Sequence, residues 1–144
     1  MPLIDLSELA PYPDDTLIAE HRELIIALNR FHGGLSQAVR DGAELGTARR
    51  QLEELQHRCS LHFRREEGYL KGLGYPQLTQ HRIAHERFEG LLQEIQRALA
   101  GRTDAGEILV LVEETLSALM VRHMNEADHA AALFAAERGA RPDS

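Results

Sequence analysis

Eight histidines in a chain with three tyrosines and no tryptophan are the first chemical signal, and their spacing is the second. His62 and Glu66 stand four residues apart, as do His81 and His85, while Asp128 follows His123 by five and His21 stands by itself near the N-terminal end. Four residues make about one helical turn, so each of the first two pairs projects from one helix face. Imidazoles with a few carboxylates suit iron, zinc, copper or nickel, whereas magnesium or calcium would take oxygen ligands throughout. Seven donors exceed the four of a structural zinc site. Two metals bridged by two carboxylates would use them all.

The elements that must position these groups are set off by Gly, Pro and capping residues. They divide the chain into four segments, each long enough for several helical turns and none with strand alternation. A first helix is predicted from Asp14 to Thr16 up to Asp41 and Gly42, with Gly33 and Gly34 as a weak point inside. A second runs from Thr47 to about Leu73 and ends at Gly74. Tyr75 and Pro76 open a third, which ends at Ala100 and Gly101. The fourth begins near Thr103 or Asp104, where Asp104 and Glu107 have capping-box spacing, and continues to about Arg138. Short connections between long helices favour antiparallel neighbours, so the expected fold is all-α, an up-down-up-down four-helix bundle in one domain. A short arm, 1–13, would precede it and a loose tail, 139–144, would follow.

Each helix carries an apolar stripe at steps of three and four, and each stripe is interrupted. In helix one it reads Leu17, His21, Leu24, Leu28, Phe31 and Leu35. Helix two gives Leu52, Leu55, Cys59, His62, Glu66, Tyr69 and Leu73, and helix three gives Leu78, His81, His85, Phe88, Leu92, Ile95 and Leu99. Helix four gives Leu109, Val112, Leu116, Leu119, His123, Ala127, Ala130 and Phe134. Burying one polar side chain without a partner costs roughly 1 to 3 kcal/mol. For a single histidine the plain reading is a satisfied core residue, but six such groups in four seams need a shared explanation. With a rise of about 1.5 Å per residue in an antiparallel bundle, His21, Glu66 and His81 lie at one depth, with His62, His85, Asp128 and His123 near it.

Asp128 departs from the pattern. Five residues from His123 is about 140° around an ideal helix, and Ala127 takes the seam position. Either Asp128 reaches in from beside the seam or a widened turn rotates it inward. Glu67 lies about 100° from Glu66 and is expected not to bind metal directly. His32, His57 and His129 lie off the seams and read as surface residues.

The remaining features bound the function. The 144-residue chain has a formal charge of -7, which argues against nucleic acid as a partner, since phosphate binding needs clustered Lys and Arg. A single cysteine, Cys59, excludes an internal disulfide framework and fits a reducing compartment. No stretch approaches the roughly 20 apolar residues of a membrane span, and the N-terminus has no secretory pattern. The expectation is a cytoplasmic protein without membrane contact.

With His21, HFRREE from His62 to Glu67, HRIAH from His81 to His85 and HMNEAD from His123 to Asp128, the sequence resembles the hemerythrin family, specifically bacterial hemerythrins. The likeness runs from about Leu17 to Phe134 and includes Leu24, Asn29, GYP at Gly74 to Pro76, and Phe88. The resemblance implies two iron ions per chain. His81, His85 and His123 would bind one and His21 and His62 the other, with Glu66, Asp128 and an oxo or hydroxo bridge between them. It also implies dioxygen as ligand, at an open position on the iron with two histidines. The family's acidic residue three positions before the first ligand is Ile18 here, and its glutamine just before that ligand is Glu20, so the hydrogen bonding behind His21 is expected to differ. Its tryptophan three positions before the last histidine is Met120, and the aliphatic residue after that histidine is Met124. These two either line the dioxygen pocket or fill the core adaptably.

Five neutral imidazoles against two carboxylates form a weaker donor set than the oxygen-rich one of ferritin-like oxidases, which favours a stable ferrous pair and reversible dioxygen binding. The same centre would also serve a di-iron oxidase or peroxidase, a nitric oxide reducing enzyme, or an oxygen- or iron-sensing module acting on a separate partner.

Overall fold

The computed structural model of the protein describes residues 3–4 and 15–137, with side chains of the first helix described from Glu20 onward. These residues form four helices and no strand: α1 (Asp15–Asp41), α2 (Gly46–Leu73), α3 (Leu78–Ala100) and α4 (105–137). α1 and α3 each pack against both α2 and α4, closing a four-helix bundle. Its four-residue connections, 42–45, 74–77 and 101–104, reverse the chain each time, as expected. The tail at 139–144, most of the arm at 1–13 and the side chains of Leu17 and Ile18 lie outside the described residues. No helix is long and apolar enough to cross a membrane among those described.

α1 runs unbroken through Gly33 and Gly34, and at the second the end of the Gln51 side chain lies against the backbone. A Cβ on Gly34 would lie 2.0 Å from the Gln51 side-chain oxygen of α2. Asn29, midway along α1, clamps the N-terminal segment. It accepts the Ile4 N–H at 2.9 Å and donates to the Ile4 carbonyl at 3.1 Å.

One helix start and one helix cap differ from those expected. α2 ends in a Schellman motif, with Gly74 left-handed at φ 70° and the N–H groups of Gly74 and Tyr75 donating to Lys71 and Leu70. Tyr75 then accepts from Leu78 in a reverse turn with Pro76 at its second position, so α3 begins at Leu78 rather than at Pro76. Asp104 does stand at the start of α4, but its side chain makes no cap; its backbone carbonyl accepts from Glu107 and Ile108 instead.

The apolar core occupies the half of the bundle away from the histidines. Leu28, Phe31 and Leu35 of α1 meet Leu52 and Leu55 of α2, Leu92, Ile95 and Leu99 of α3, and Ile108, Val112 and Leu116 of α4. Each such side chain contributes roughly 1.5–3 kcal/mol on burial. Among the described side chains, the predicted stripes of α1 to α3 are the buried ones, apart from half-buried Tyr69, Leu73 and Leu78.

α4 is different. Its α-helical stretches Ala105–Leu111, Ser117–Arg122 and His129–Glu137 are separated by π-helical turns at Val112–Leu116 and His123–Asp128. The buried series is Ile108, Val112, Leu116, Met120, Met124 and Asp128, each four residues from the last. In a regular helix five steps of four drift by about 200° around the axis. Two widened turns, each taking up one extra residue or about 100°, cancel that drift. The expected seam residues Leu109, Leu119, Ala127 and Phe134 are therefore only half-buried and Ala130 is exposed, because the prediction assumed an unbroken helical period.

Candidate metal centre

Seven side chains continue the seams at the end where α1 and α3 begin and α2 and α4 end. His21 comes from α1, His62 and Glu66 from α2, His81 and His85 from α3, and His123 and Asp128 from α4. All seven are buried. The final π-turn, His123–Asp128, carries the one residue that an ideal helix would have turned aside, so a widened turn, not a reach from beside the seam, brings Asp128 inward.

The donors fall into two overlapping sets, and within each set they lie within 4.8 Å of one another: Glu66, His81, His85, His123 and Asp128 in one, His21, His62, Glu66 and Asp128 in the other. The carboxylates divide their oxygens between the sets. Glu66 turns Oε1 to His81, in contact, and to His85 Nε2 at 3.2 Å, and turns Oε2 to His62 Nε2 at 3.6 Å. Asp128 turns Oδ1 to His81 and His123 at 3.0 and 2.9 Å, and Oδ2 to His21 at 3.1 Å. Donors about 2.1 Å from a common ion and at right angles to each other stand about 3 Å apart, so these separations suit coordination. All five histidines aim Nε2 inward.

Several of these atoms have nothing else to do. His62, His85 and His123 Nε2 and Asp128 Oδ1 are buried without a hydrogen-bond partner among the described residues. Each such group costs roughly 1–3 kcal/mol, about what one core leucine contributes. A bound cation satisfies all of them at once. Left to themselves the side chains form an ion network. Burial pushes the Asp128 carboxyl up, but His123, His21 and His81 outweigh it and hold it well below its ordinary value; Glu66 is likewise lowered, by its histidines against burial and Asp128. Burial works against the His81 imidazolium, yet Asp128 and Glu66 raise its pKa to about 10.

Behind the donors stand two chains of charge. His62 Nδ1 donates to Glu20 at 2.5 Å, and Glu20 in turn pairs with Arg65. His85 Nδ1 donates to Glu67 at 2.7 Å, and Glu67 is held by Arg64 at 2.7 Å and Arg82 at 3.5 Å. Glu67 thus stays out of both donor sets, as its phase predicts, yet is buried and positions His85. Glu20 lies behind His62, not behind His21 as its place in the sequence suggested, because α1 turns it toward α2. The roles of Arg64, Arg65 and Arg82 were missed; the alternation of charges in HFRREE was the available signal. Phe63 stacks on His85 with ring centroids 3.9 Å apart.

Met120 and Met124 are buried in the core series on either side of His123. His32, His57 and His129 take no part in either donor set. His57 is exposed as expected, whereas His129 and His32 are half-buried, the latter 3.3 Å from Ser36 and 3.7 Å from Glu113.

The helical bundle and its nested histidines and carboxylates define a metal-binding protein. Residues 12–132 match the model of the hemerythrin HHE cation-binding domain, and the chain belongs to the hemerythrin family. No curated protein matches it closely enough to add a more specific relative.

Proposed function

We propose that the chain holds two iron ions and binds dioxygen reversibly. The observation that carries this reading is the split of both carboxylates: Glu66 turns one oxygen toward His81 and His85 and the other toward His62, and Asp128 turns one toward His81 and His123 and the other toward His21. On this reading, His81, His85 and His123 would hold one iron and His21 and His62 the other, with Glu66 and Asp128 shared between the two sets. The predominance of neutral imidazole suits a ferrous pair, which supplies dioxygen binding when present.

The protein's own part is to hold the donors and keep water out. Glu20 and Glu67 fix the ring orientation and tautomer of His62 and His85 and strengthen them as donors. A small cleft lined by Glu20, Arg65, Tyr69, Ala131 and Ala132 reaches Glu66 and Asp128, and it offers a short path for a diatomic gas. Met120 and Met124 form the apolar wall of the dioxygen pocket in this proposal.

The test is an optical spectrum of reduced, iron-loaded protein, with iron per chain measured in parallel, while oxygen is admitted and then removed. Absorption that appears with oxygen and disappears without it supports the carrier reading. One metal per chain would sink the paired site. Irreversible oxidation at each exposure, followed by turnover with a reductant, would replace the carrier with an oxidase or peroxidase.

A further inference from the structure

His62 and His85 each donate Nδ1–H to a carboxylate of the protein. His123 does not. Its Nε2 faces Asp128, while its Nδ1 makes no hydrogen bond to any described residue and its side chain, 8 % exposed, shows an edge at the surface. It does so in a groove of about 200 Å³ between α3 and α4.

The lining of this groove has a definite chemistry. Phe88 and Leu119 supply apolar wall, and Arg87 and Arg122 flank it. Neither guanidinium pairs with any described residue, in a chain with 23 acidic residues against 16 basic ones. Two arginines lining the same groove as the outer edge of an imidazole and an apolar wall suit an anion with an apolar body, since guanidinium and carboxylate match in geometry as well as charge. Glu126, also in the lining, disfavours a second negative charge.

We propose that the α3/α4 groove binds a small organic monocarboxylate, its head held by Arg87 and Arg122 and accepting Nδ1–H of His123, its body against Phe88 and Leu119. The bound carboxylate stands to His123 as Glu67 stands to His85. The part given to His123 rests on the metal-binding reading, because a metal at Nε2 leaves the ring proton on Nδ1. The arginines and the apolar wall do not rest on it.

The experiment is calorimetric titration of the metal-loaded protein with benzoate and with uncharged benzamide, metal content being assayed on the same samples. Benzoate should bind saturably at one per chain and benzamide at least tenfold more weakly. Arg87→Gln and Arg122→Gln should each weaken benzoate roughly tenfold or more, with metal content and melting temperature unchanged. Benzoate binding should also shift the absorption of the metal centre in wild type and lose that effect in the variants. Equal binding of benzamide would mean a merely apolar groove and would overturn the proposal. Benzoate binding that persists in both variants would place the carboxylate on the metal and overturn it equally, as would no binding to protein with full metal content. Arginine-dependent binding to protein that takes up no metal would support the groove while sinking the metal reading.

Discussion

The two halves of the site are built to the same plan from different material. Each has a histidine backed by a carboxylate that is itself backed by arginine: His62, Glu20 and Arg65 on one side, His85, Glu67 and Arg64 with Arg82 on the other. Consecutive residues of one α2 turn serve opposite halves, since Arg64 holds Glu67 whereas Arg65 crosses to Glu20 of α1. Surroundings set the halves apart. Glu67 is buried and Phe63 lies flat on His85, whereas Glu20 is half-buried beside the open cleft. The three-histidine half is held by packing and the two-histidine half by charge near solvent. Salt and pH should therefore act on them unequally, because exposed charge is screened and buried charge is not.

The largest expected effect removes the contrast altogether. Glu66→Ala takes an oxygen from each half, so it should abolish binding of a metal pair, whereas His62→Ala should spare the three-histidine set. Elemental analysis checks both. Metal removal should lower the melting temperature by roughly 10 °C or more, given several kcal/mol of linked binding energy in a domain of this size. Retention of two metals by the Glu66 variant would show that the halves are independent.

Next in size is packing against charge. Phe63→Ala should destabilise the protein by roughly 3–5 kcal/mol through the cavity it leaves and should free His85 to rotate. Glu67→Gln and Glu20→Gln should each weaken metal binding, by roughly 10- to 100-fold for the buried Glu67 and less for Glu20. Competition with a chelator at low and high salt separates them. Salt should shrink the wild-type advantage over the Glu20 variant and leave that over the Glu67 variant nearly unchanged.

A smaller effect lies in the pH dependence of the metal-free protein. The folded pKa of His81, about 10, lies above its unfolded value near 6.5, so the stability it contributes is full below about pH 6.5 and is lost as pH rises toward 10. Glu66 and Asp128 are shifted down, so their contribution is present above about pH 4.5 and is lost as pH falls through their lowered values. Thermal melts should show a plateau between about pH 5 and 6.5 with a fall on either side. In the metal-loaded protein the alkaline fall should disappear up to about pH 9, because the metal takes the place of the histidine proton.

The smallest expected effect concerns Cys59, one turn before His62 on α2. It is fully buried, and burial pushes its thiol far up, with Glu89 adding to the shift. The folded protein should react with iodoacetamide at pH 8 orders of magnitude more slowly than the unfolded chain, with or without metal. Fast alkylation confined to the metal-free form would show that the packing of α2 beside His62, in the two-histidine half, depends on metal.

Six of the seven donors were legible in the sequence because α1, α2 and α3 are regular and His123 interrupts the apolar stripe predicted for α4. At about 100° per residue, His62 with Glu66 and His81 with His85 must share a face, and short connections bring those faces to one depth. Asp128, Met120 and Met124 were not legible in the same way. Their inward position depends on two π-turns, and a widened turn has no strong local signature; it persists because the packed bundle rewards burial of every fourth residue. The spacing of Ile108, Val112, Leu116, Met120, Met124 and Asp128 carried that information, but only a helix of unexpected phase could use it. The partners of Glu20 and Glu67 were likewise tertiary decisions, since which histidine a carboxylate backs depends on the angle at which two helices meet. Periodicity along one helix thus determined the fold and most of the donor set, while contacts between helices decided the last bridging carboxylate, the charges behind the histidines and the groove beside His123.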